Sequence, residues 1–529
     1  MAQCYLIIAT VMSEIVNQSL RKIAKGAVLV FIGTVIGMLL GLVGRIMLVR
    51  YITQGEYGIY SLAFVIVSIL VLIATLGLDS GSTRQIAFYR GKGDEWKVRG
   101  VVLSSLQVAV ISSVFLSLVL FFISDLISIK VFHSPELSTP LKVFCIAIPF
   151  FVLINLLTSI FRGFDKAGPS VYFQHILISA LFPLLLVAVV LLNFQFVGVV
   201  YAFVASIVLT CMAFVVYAVR KPPLTLRGKR SASSSLVTKE LLLFSLPLCA
   251  VAMLNSVAVW TDTLMIGFFK TPGDVGLYNA ALPLVRPLPI VFTAMSFFYV
   301  PLMSQLYAKN EIEDIKRSYA VVTKWIFAAT LPVFLIFALF PEATLNILFG
   351  YRYVGAASAL QILSLGFFIH TVLGSAISTL VVMGETRFVM WSVLISTIAN
   401  IALNIALIPP LGIVGAAIAT ASAFALRNLL WSARLYSLSK MHPFTENYLK
   451  PAIASVVLVL IIYALVRNLI SVIPFWLLPL LFIAFLGAYA ISVLLTRSFD
   501  KEDIMLLLAI EQRLGMNLTA AKKLLRRFL

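Results

Sequence analysis

The sequence predicts an all-α integral membrane protein with about 14 transmembrane helices, forming two six-helix pseudo-symmetric lobes plus two extra C-terminal helices. Three observations carry this. First, 61% of the 529 residues are hydrophobic and 12% are charged, against roughly 25% charged in a soluble domain. Mean hydropathy is +1.07. Second, apolar runs of about 20 residues, long enough to span a bilayer, recur along the chain. Third, the basic residues fall in alternate connections between those runs.

The predicted spans are 27–49, 58–80, 100–123, 140–161, 170–193, 196–219, 241–269, 276–300, 320–340, 355–382, 387–408, 411–433, 449–468 and 473–496. The first carries glycines at 33, 37, 41 and 44, a spacing that allows close helix contact inside a bilayer. One side of the membrane receives most of the Lys and Arg, including Lys25, Arg84, Arg90, Arg162, Lys229, Lys316, Arg387 and Arg434. The other receives only Arg50, Lys130, Lys270, Arg352 and Arg467. The positive-inside bias places both termini in the cytoplasm of a multi-pass protein of the cell membrane. The outer loops are short, and the longest is about 124–139.

The chain divides into a cytoplasmic segment 1–26, an N-lobe 27–219, a basic linker 220–240, a C-lobe 241–436, two further helices within 437–496 and a tail 497–529. The linker, rich in Ser and basic residues, reads as flexible. Residues 1–11 are apolar but too short to span, and they lack a basic start. No signal peptide is expected, and Met12 is an alternative start. The tail has the spacing of an amphipathic helix followed by Lys522, Lys523, Arg526 and Arg527. It is expected to lie on anionic phospholipids of the inner leaflet.

The lobes repeat each other. Residues 50–63 (RYITQGEYGIYSLA) align with 268–281 (FFKTPGDVGLYNAA), both Gly-acid-x-Gly-x-Tyr. Residues 197–206 align with 414–423. The common offset of about 218 residues marks a repeat. Six helices per unit preserve direction, so the lobes should be related by an axis along the membrane normal, with a substrate site between them.

A formal net charge of +19 would point to nucleic acid in a soluble protein; here the cytoplasmic loops account for it, and no nucleic-acid partner is expected. Cys4, Cys145, Cys211 and Cys249 and the four histidines are isolated. Neither a metal site nor a disulfide pattern is read from them, and no cofactor is expected. No P-loop, Gly-x-Ser-x-Gly or His-Glu-x-x-His motif occurs, so an enzyme is not predicted.

Charges inside apolar runs are functional candidates by default. Arg286 lies about ten residues into the eighth span, roughly 15 Å deep, among Pro283, Pro287 and Pro289. Two readings stand: it holds an anionic substrate group, or it pairs internally with Asp262 of the seventh span. Arg45 flanks the glycine face of the first span. Arg50, about 140° round from it, reads as an interfacial anchor or a second substrate contact. Asp262 is a candidate for substrate contact or for a coupling cation or proton. Asp79, expected at the inner end of the second span, is a coupling candidate or a helix cap. Asn255, Asn279, Asn400, Asn404, Gln174, His175 and His370 are polar groups within spans, mostly hydrogen-bond partners between helices. Asn255 is taken as a further substrate contact.

In order along the chain, Lys25-Gly26, Arg50-Tyr51, Glu56-Tyr57-Gly58-x-Tyr60, Leu76-Gly77-Leu78-Asp79, Phe349-Gly350 through Tyr353, Gly384-Glu385-Thr386-Arg387 and 404–415 (NIALIPPLGIVG) resemble the polysaccharide-type branch of the multidrug/oligosaccharidyl-lipid/polysaccharide exporter superfamily, which includes O-antigen repeat-unit flippases. The resemblance covers nearly the whole chain. It implies alternating access around a central cationic cavity and a polyprenyl-linked oligosaccharide as substrate, its (pyro)phosphate held by arginines. By position those would be Arg286 and Arg45. Glycan-assembly membrane proteins are the implied neighbours. Lipid II flippases of this superfamily tend to carry an Arg-Asp pair in helix 1, where this chain has Gly44-Arg45. The drug-exporting branch usually has an acidic residue in helix 1; this helix has none. A cation-coupled drug exporter is the alternative. A glycan-processing membrane enzyme is disfavoured by the short outer loops.

Overall fold

A computed structural model describes residues 29–220 and 235–442, except the side chains of residues 235, 236, 255, 258 and 298, together with scattered positions between 453 and 489. The last two predicted spans, the tail 497–529, the segment 1–26, most of the 220–240 linker and the side chain of Asn255 lie outside the described residues. The regular structure described is helical throughout. Eleven helices are long and apolar enough to cross a membrane, or up to 12 with one bent pair counted as a span. They fall on the first twelve predicted spans. The chain forms two compact units, Lys25–Gly276 and the residues from Leu277 onward.

The first unit opens with α1, Leu29–Tyr51. Its glycines serve close packing on the fifth span. A Cβ at Gly37 would stand 2.5 Å from the His175 carbonyl oxygen, and one at Gly44 would stand 3.3 Å from Pro183 Cδ. Gly41 faces no atom within 4 Å. Thr53 then starts α2 (Gln54–Thr75) with a capping box: its N–H donates to Glu56 Oε2 at 2.8 Å, and Glu56 N–H returns to Thr53 Oγ1 at 3.3 Å. This satisfies two otherwise orphaned donors.

α2 stops where Leu76 and Gly77 adopt left-handed backbone (φ 51° and 70°). The Ala74 carbonyl freed by the break accepts from Ser112 Oγ at 2.6 Å. The chain continues as α3 (Leu78–Gly91). The helical stretch of the second span therefore continues to Gly91, past residue 80, where the hydropathy pattern ends the predicted span. The pattern fades there because α3 is polar on one side. Asp94 caps α4, Glu95–Leu126, by accepting from Lys97 N–H at 3.0 Å.

α5 (Ser138–Cys145) and α6 (Ala147–Gly163) form the pair bent by 45°. Pro149 explains the bend, because it has no N–H for the Cys145 carbonyl. Ser117 Oγ donates to that carbonyl instead, at 2.7 Å. A π-helical stretch, Ser170–Leu177, leads into α7, Ile178–Leu191, followed by α8, Phe196–Arg220. Phe203 of α8 meets the rings of Tyr60, Phe64, Phe144, Phe151 and Phe182 at 5.2–6.2 Å. One side chain thus joins α2, α5, α6 and α7.

α9, Ser235–Phe269, is the first helix after the linker, and it packs on α2, α3 and α4 within the first unit. Small residues permit this: a Cβ at Gly77 would stand 2.8 Å from Cys249 N, and Gly81 abuts Ser245. Near the start of α9, Tyr89 OH donates to Glu240 Oε1 at 2.8 Å, and Thr238 Oγ1 donates to Ser104 Oγ at 2.8 Å.

Thr271 and Asp274 repeat the capping box at the start of α10, Pro272–Val285, with Thr271 N–H to Asp274 Oδ2 at 3.1 Å. The acid shared by the two copies of the sequence repeat is thus a helix cap. The two copies also touch reciprocally. A Cβ at Gly58 would lie 2.6 Å from the Pro272 carbonyl carbon and 3.0 Å from Gly276 N. A Cβ at Gly276 would lie 3.1 Å from the Gln54 carbonyl carbon and 3.2 Å from Gly58 N. Gln54 and Pro272, like Gly58 and Gly276, occupy equivalent repeat positions, so the crossing has local two-fold character.

The second unit contains the rest of α10, then α11 (Ile290–Ala308), α12 (Ile312–Leu339), α13 (Pro341–Phe349), α14 (Ala357–Leu373), α15 (Ser375–Val382), α16 (Thr386–Leu411) and α17 (Ile413–Ser439). Tyr299, Met303, Tyr319, Ile326, Leu380, Trp431 and Leu435 form a buried core. Two hydroxyl pairs tie it together: Tyr299 OH with Thr379 Oγ1 at 2.7 Å, and Thr323 Oγ1 with Ser375 Oγ at 2.6 Å. Arg434 donates to both oxygens of Glu385 at 3.0–3.2 Å, fastening the C-terminal part of α17 to the start of α16.

Candidate functional site: arginines within the spans

Arg45 lies six residues before the end of α1, about 9 Å from it at 1.5 Å per residue. It is half-buried. Its charge acts on the buried Tyr60 hydroxyl, and among the described residues it has neither ion pair nor hydrogen bond. Arg50 is exposed at the end of the same helix and has a partner.

Arg286 sits where the eighth span breaks. α10 ends at Val285, residues 286–289 form turns, and α11 begins at Ile290. Pro287 and Pro289 supply no N–H, so the helix cannot run through. Arg286 N–H still reaches the Leu282 carbonyl at 3.2 Å. The guanidinium is half-buried and engaged by a partner. Backbone opened at such depth must be buried in protein or line a polar cavity.

Asp262 is 4% exposed on α9 and also partnered. Asp79 is exposed in the first turn of α3, partway along its span, where a carboxylate complements the helix dipole. Arg45, Arg50, Asp79 and Asp262 belong to the first unit and Arg286 to the second.

Several polar residues within spans pair locally. Gln174 donates to Asn155 Oδ1 at 3.3 Å. Asn404 donates to Asn400 Oδ1, and Asn400 to Thr420 Oγ1, both at 3.2 Å. The i, i+4 spacing of Asn400 and Asn404 makes that chain possible.

Arg427 is a further deep charge that the sequence reading passes over, although it falls inside the predicted span 411–433. It lies near the middle of α17, about 20 Å from Ile413 and 18 Å from Ser439. Its guanidinium sits 5.0 Å from the Phe424 ring centroid and 5.1 Å from that of Trp431. Its Nε is buried without a hydrogen-bond partner. Among the described residues Arg427 has no ion pair or hydrogen bond. On insertion scales an arginine at mid-membrane costs about 2.5–3.5 kcal/mol, and each aromatic contact returns roughly 0.5–2 kcal/mol. The rings therefore offset part of the cost and leave the hydrogen-bonding capacity of the guanidinium unused.

Asn428 donates from Nδ2 to His370 Nδ1 at 3.1 Å and to the Phe424 carbonyl at 2.7 Å. With Nδ1 accepting, His370 is the neutral Nε2–H tautomer. Its ring stacks on Phe424 at 4.9 Å. Asn428 Oδ1, Trp431 Nε1 and Ser432 Oγ are buried without partners.

The family model described as "Polysaccharide biosynthesis protein" matches residues 23–307, and the MatE model matches residues 247–406. A protein named "Probable low-salt glycan biosynthesis flippase Agl15" from Haloferax volcanii is 29% identical over 181 residues. That match covers 34% of this chain and 38% of the relative, so the chain spans little over a third of that protein's length in the matched region. A "Putative O-antigen transporter" from Shigella flexneri is 23% identical over 405 residues, 75% of this chain and 94% of the relative. Among solved structures, "Lipid II flippase MurJ, inward closed conformation" superposes with a TM-score of 0.67 at 15% identity, covering 88% of this chain and 98% of the other. An inward-facing multidrug resistance MATE family transporter of the MOP superfamily gives a TM-score of 0.63 at 19% identity, covering 79% and 99%. At these identities the structural matches show a common fold.

Proposed function

We propose that this chain, which belongs to the polysaccharide biosynthesis protein family, moves a polyprenyl-(pyro)phosphate-linked oligosaccharide from the inner to the outer leaflet of the cell membrane. The observation that carries this reading is Arg45, a half-buried charge in α1 with no carboxylate among the described residues to neutralise it. A lipid phosphate cannot cross about 30 Å of hydrocarbon unaided. Arginine matches phosphate geometry with paired N–H donors, and an unneutralised arginine attracts an anion. Arg286, held at a helix break, is the second substrate contact, and Asp262, Asn255 and Arg50 take the same role. Asp262 or Asp79 would couple transport to a cation or proton. The two six-helix lobes rock to change which leaflet the headgroup faces while the polyprenyl tail stays in lipid. Both termini are cytoplasmic, the tail rests on anionic phospholipids, and glycan-assembly membrane proteins supply and consume the substrate. The chain acts as a carrier and not as an enzyme.

The MatE match over residues 247–406 favours a second reading, cation-coupled export of small organic molecules. Such cargo calls for carboxylates in place of Arg45. Reconstitution in liposomes with a fluorescent lipid-linked oligosaccharide decides between the two. Wild type should translocate it, and Arg286→Ala should lose at least tenfold in rate. Full activity in that variant would overturn the site assignment. Drug efflux by wild type without glycolipid translocation would overturn the function.

A further inference from the structure

We propose that Arg427 is the charged centre of a second oxyanion site, contained within the unit that begins at Leu277. It would take an anionic group of the transported glycan lipid, either a phosphate or the carboxylate of an acidic sugar. The identity of that ligand rests on the function proposed above; the existence of an oxyanion site does not.

The placement of Arg427 leaves few other roles. It lies within a membrane-spanning helix, about 10 Å along it from Arg434, and is half-buried. An arginine at such depth, when it has no carboxylate, must meet water or a ligand on its open side. Among the described residues no acid pairs with it: the Glu385 carboxylate is held by Arg434, and His370, the titratable group that faces it from α14, is neutral and bound to Asn428. The guanidinium carbon lies 5.0 and 5.1 Å from the Phe424 and Trp431 ring centroids, and contacts with ring faces make no hydrogen bond to its N–H groups.

Further unused groups lie on the same stretch of α17. Trp431 is 2% exposed, yet its indole N–H has no partner. It lies four residues after Arg427, on the same face of α17. Asn428 is fully buried with Oδ1 unpartnered, and Ser432 Oγ is likewise unpartnered. The set therefore holds N–H donors suited to an oxyanion and oxygen acceptors suited to sugar hydroxyls. Buried polar groups are seldom left unmade in a finished structure, and four adjacent ones mark a place where a polar ligand completes the bonding.

The test uses the purified full-length protein in detergent, with sodium pyrophosphate and sodium glucuronate as separate probes in calorimetric titrations. Wild type should bind at least one of them, and Arg427→Gln should bind about tenfold or more weakly, the loss typical of a paired charge-assisted contact. Arg427→Lys keeps the charge without the planar fork and should fall between them; it also serves if the glutamine variant does not fold. Arg317→Gln, which removes an exposed basic residue of α12, should retain the binding, which separates this site from a general loss of positive charge. Binding of pyrophosphate alone identifies a phosphate as the ligand group, and binding of glucuronate alone identifies an acidic sugar. No binding of either probe by wild type, or equal binding by wild type and both Arg427 variants, overturns the proposal. If wild type binds a probe through Arg427 yet translocates no lipid-linked oligosaccharide, the site stands and the flippase reading falls.

Discussion

A methyl group added at Gly58 would lie 2.6 Å from the carbonyl carbon of Pro272 and 3.0 Å from the backbone nitrogen of Gly276. Carbon atoms in ordinary contact stand roughly 3.5–4.0 Å apart, so the two segments must separate by about 1 Å to admit it. The neighbour is backbone held in the first turn of α10, and no side chain can swing away to make room. Overpacking of this kind costs about 1–3 kcal/mol. For a large domain each kcal/mol lowers Tm by roughly 2–4 °C, so Gly58→Ala should melt about 5 °C below wild type in detergent. The structure supplies its own control one turn earlier: a Cβ at Gly55 meets nothing within 4 Å, and alanine there should leave Tm unchanged or slightly raised. Gly276→Ala should resemble Gly58→Ala. The double variant should cost less than the sum, because one separation relieves both clashes. The assay is a thermal melt followed by intrinsic fluorescence. Equal Tm values for Gly58→Ala and Gly55→Ala would refute the reciprocal crossing.

Two further predictions concern the ends of helices. Thr271→Ala removes one partner of the second capping box; a lost cap costs about 0.5–2 kcal/mol, to be read as a lower Tm, and Asp274→Asn should cost less because it keeps an acceptor. Glu385→Gln weakens the two-pronged contact with Arg434. That pair is partly exposed, with side chains 38% and 26% accessible, so solvent screening should keep the loss near 1 kcal/mol, and raising salt should shrink the difference in Tm between variant and wild type.

The spans were legible because the bilayer imposes one requirement on all of them. Each needs about 20 apolar residues, whatever it packs against. The repeat was legible for a related reason: its two turns keep the same caps and the same glycines. What hydropathy missed was local. The second span continues past Asp79 because Gly77 can take a left-handed backbone and α3 buries only one face. Nothing in the composition of 78–91 distinguishes that from a loop.

The arginines divide in the same way. Arg286 announces itself through three nearby prolines. Arg427 carries the same mid-span signal but has no such flag, and it looks like one more basic residue near Arg434 and Lys440. Only the packing of Phe424, Trp431 and His370 shows that aromatic rings, and no acid among the described residues, meet it.

By itself the sequence determined the fold class, the positions of twelve membrane-spanning segments, the repeat and the resemblance to glycan-lipid carriers. All of these depend on periodicity and composition, which are properties of neighbours along the chain. Tertiary structure decided that α9 packs on α2, α3 and α4, that the two repeat turns cross at Gly58 and Gly276, and that Arg427 has no carboxylate partner among the described residues. Those outcomes depend on which backbones can approach to within a few ångströms and on which charges meet across helices. Such distances join residues up to about 200 positions apart, and no local pattern in the sequence encodes them.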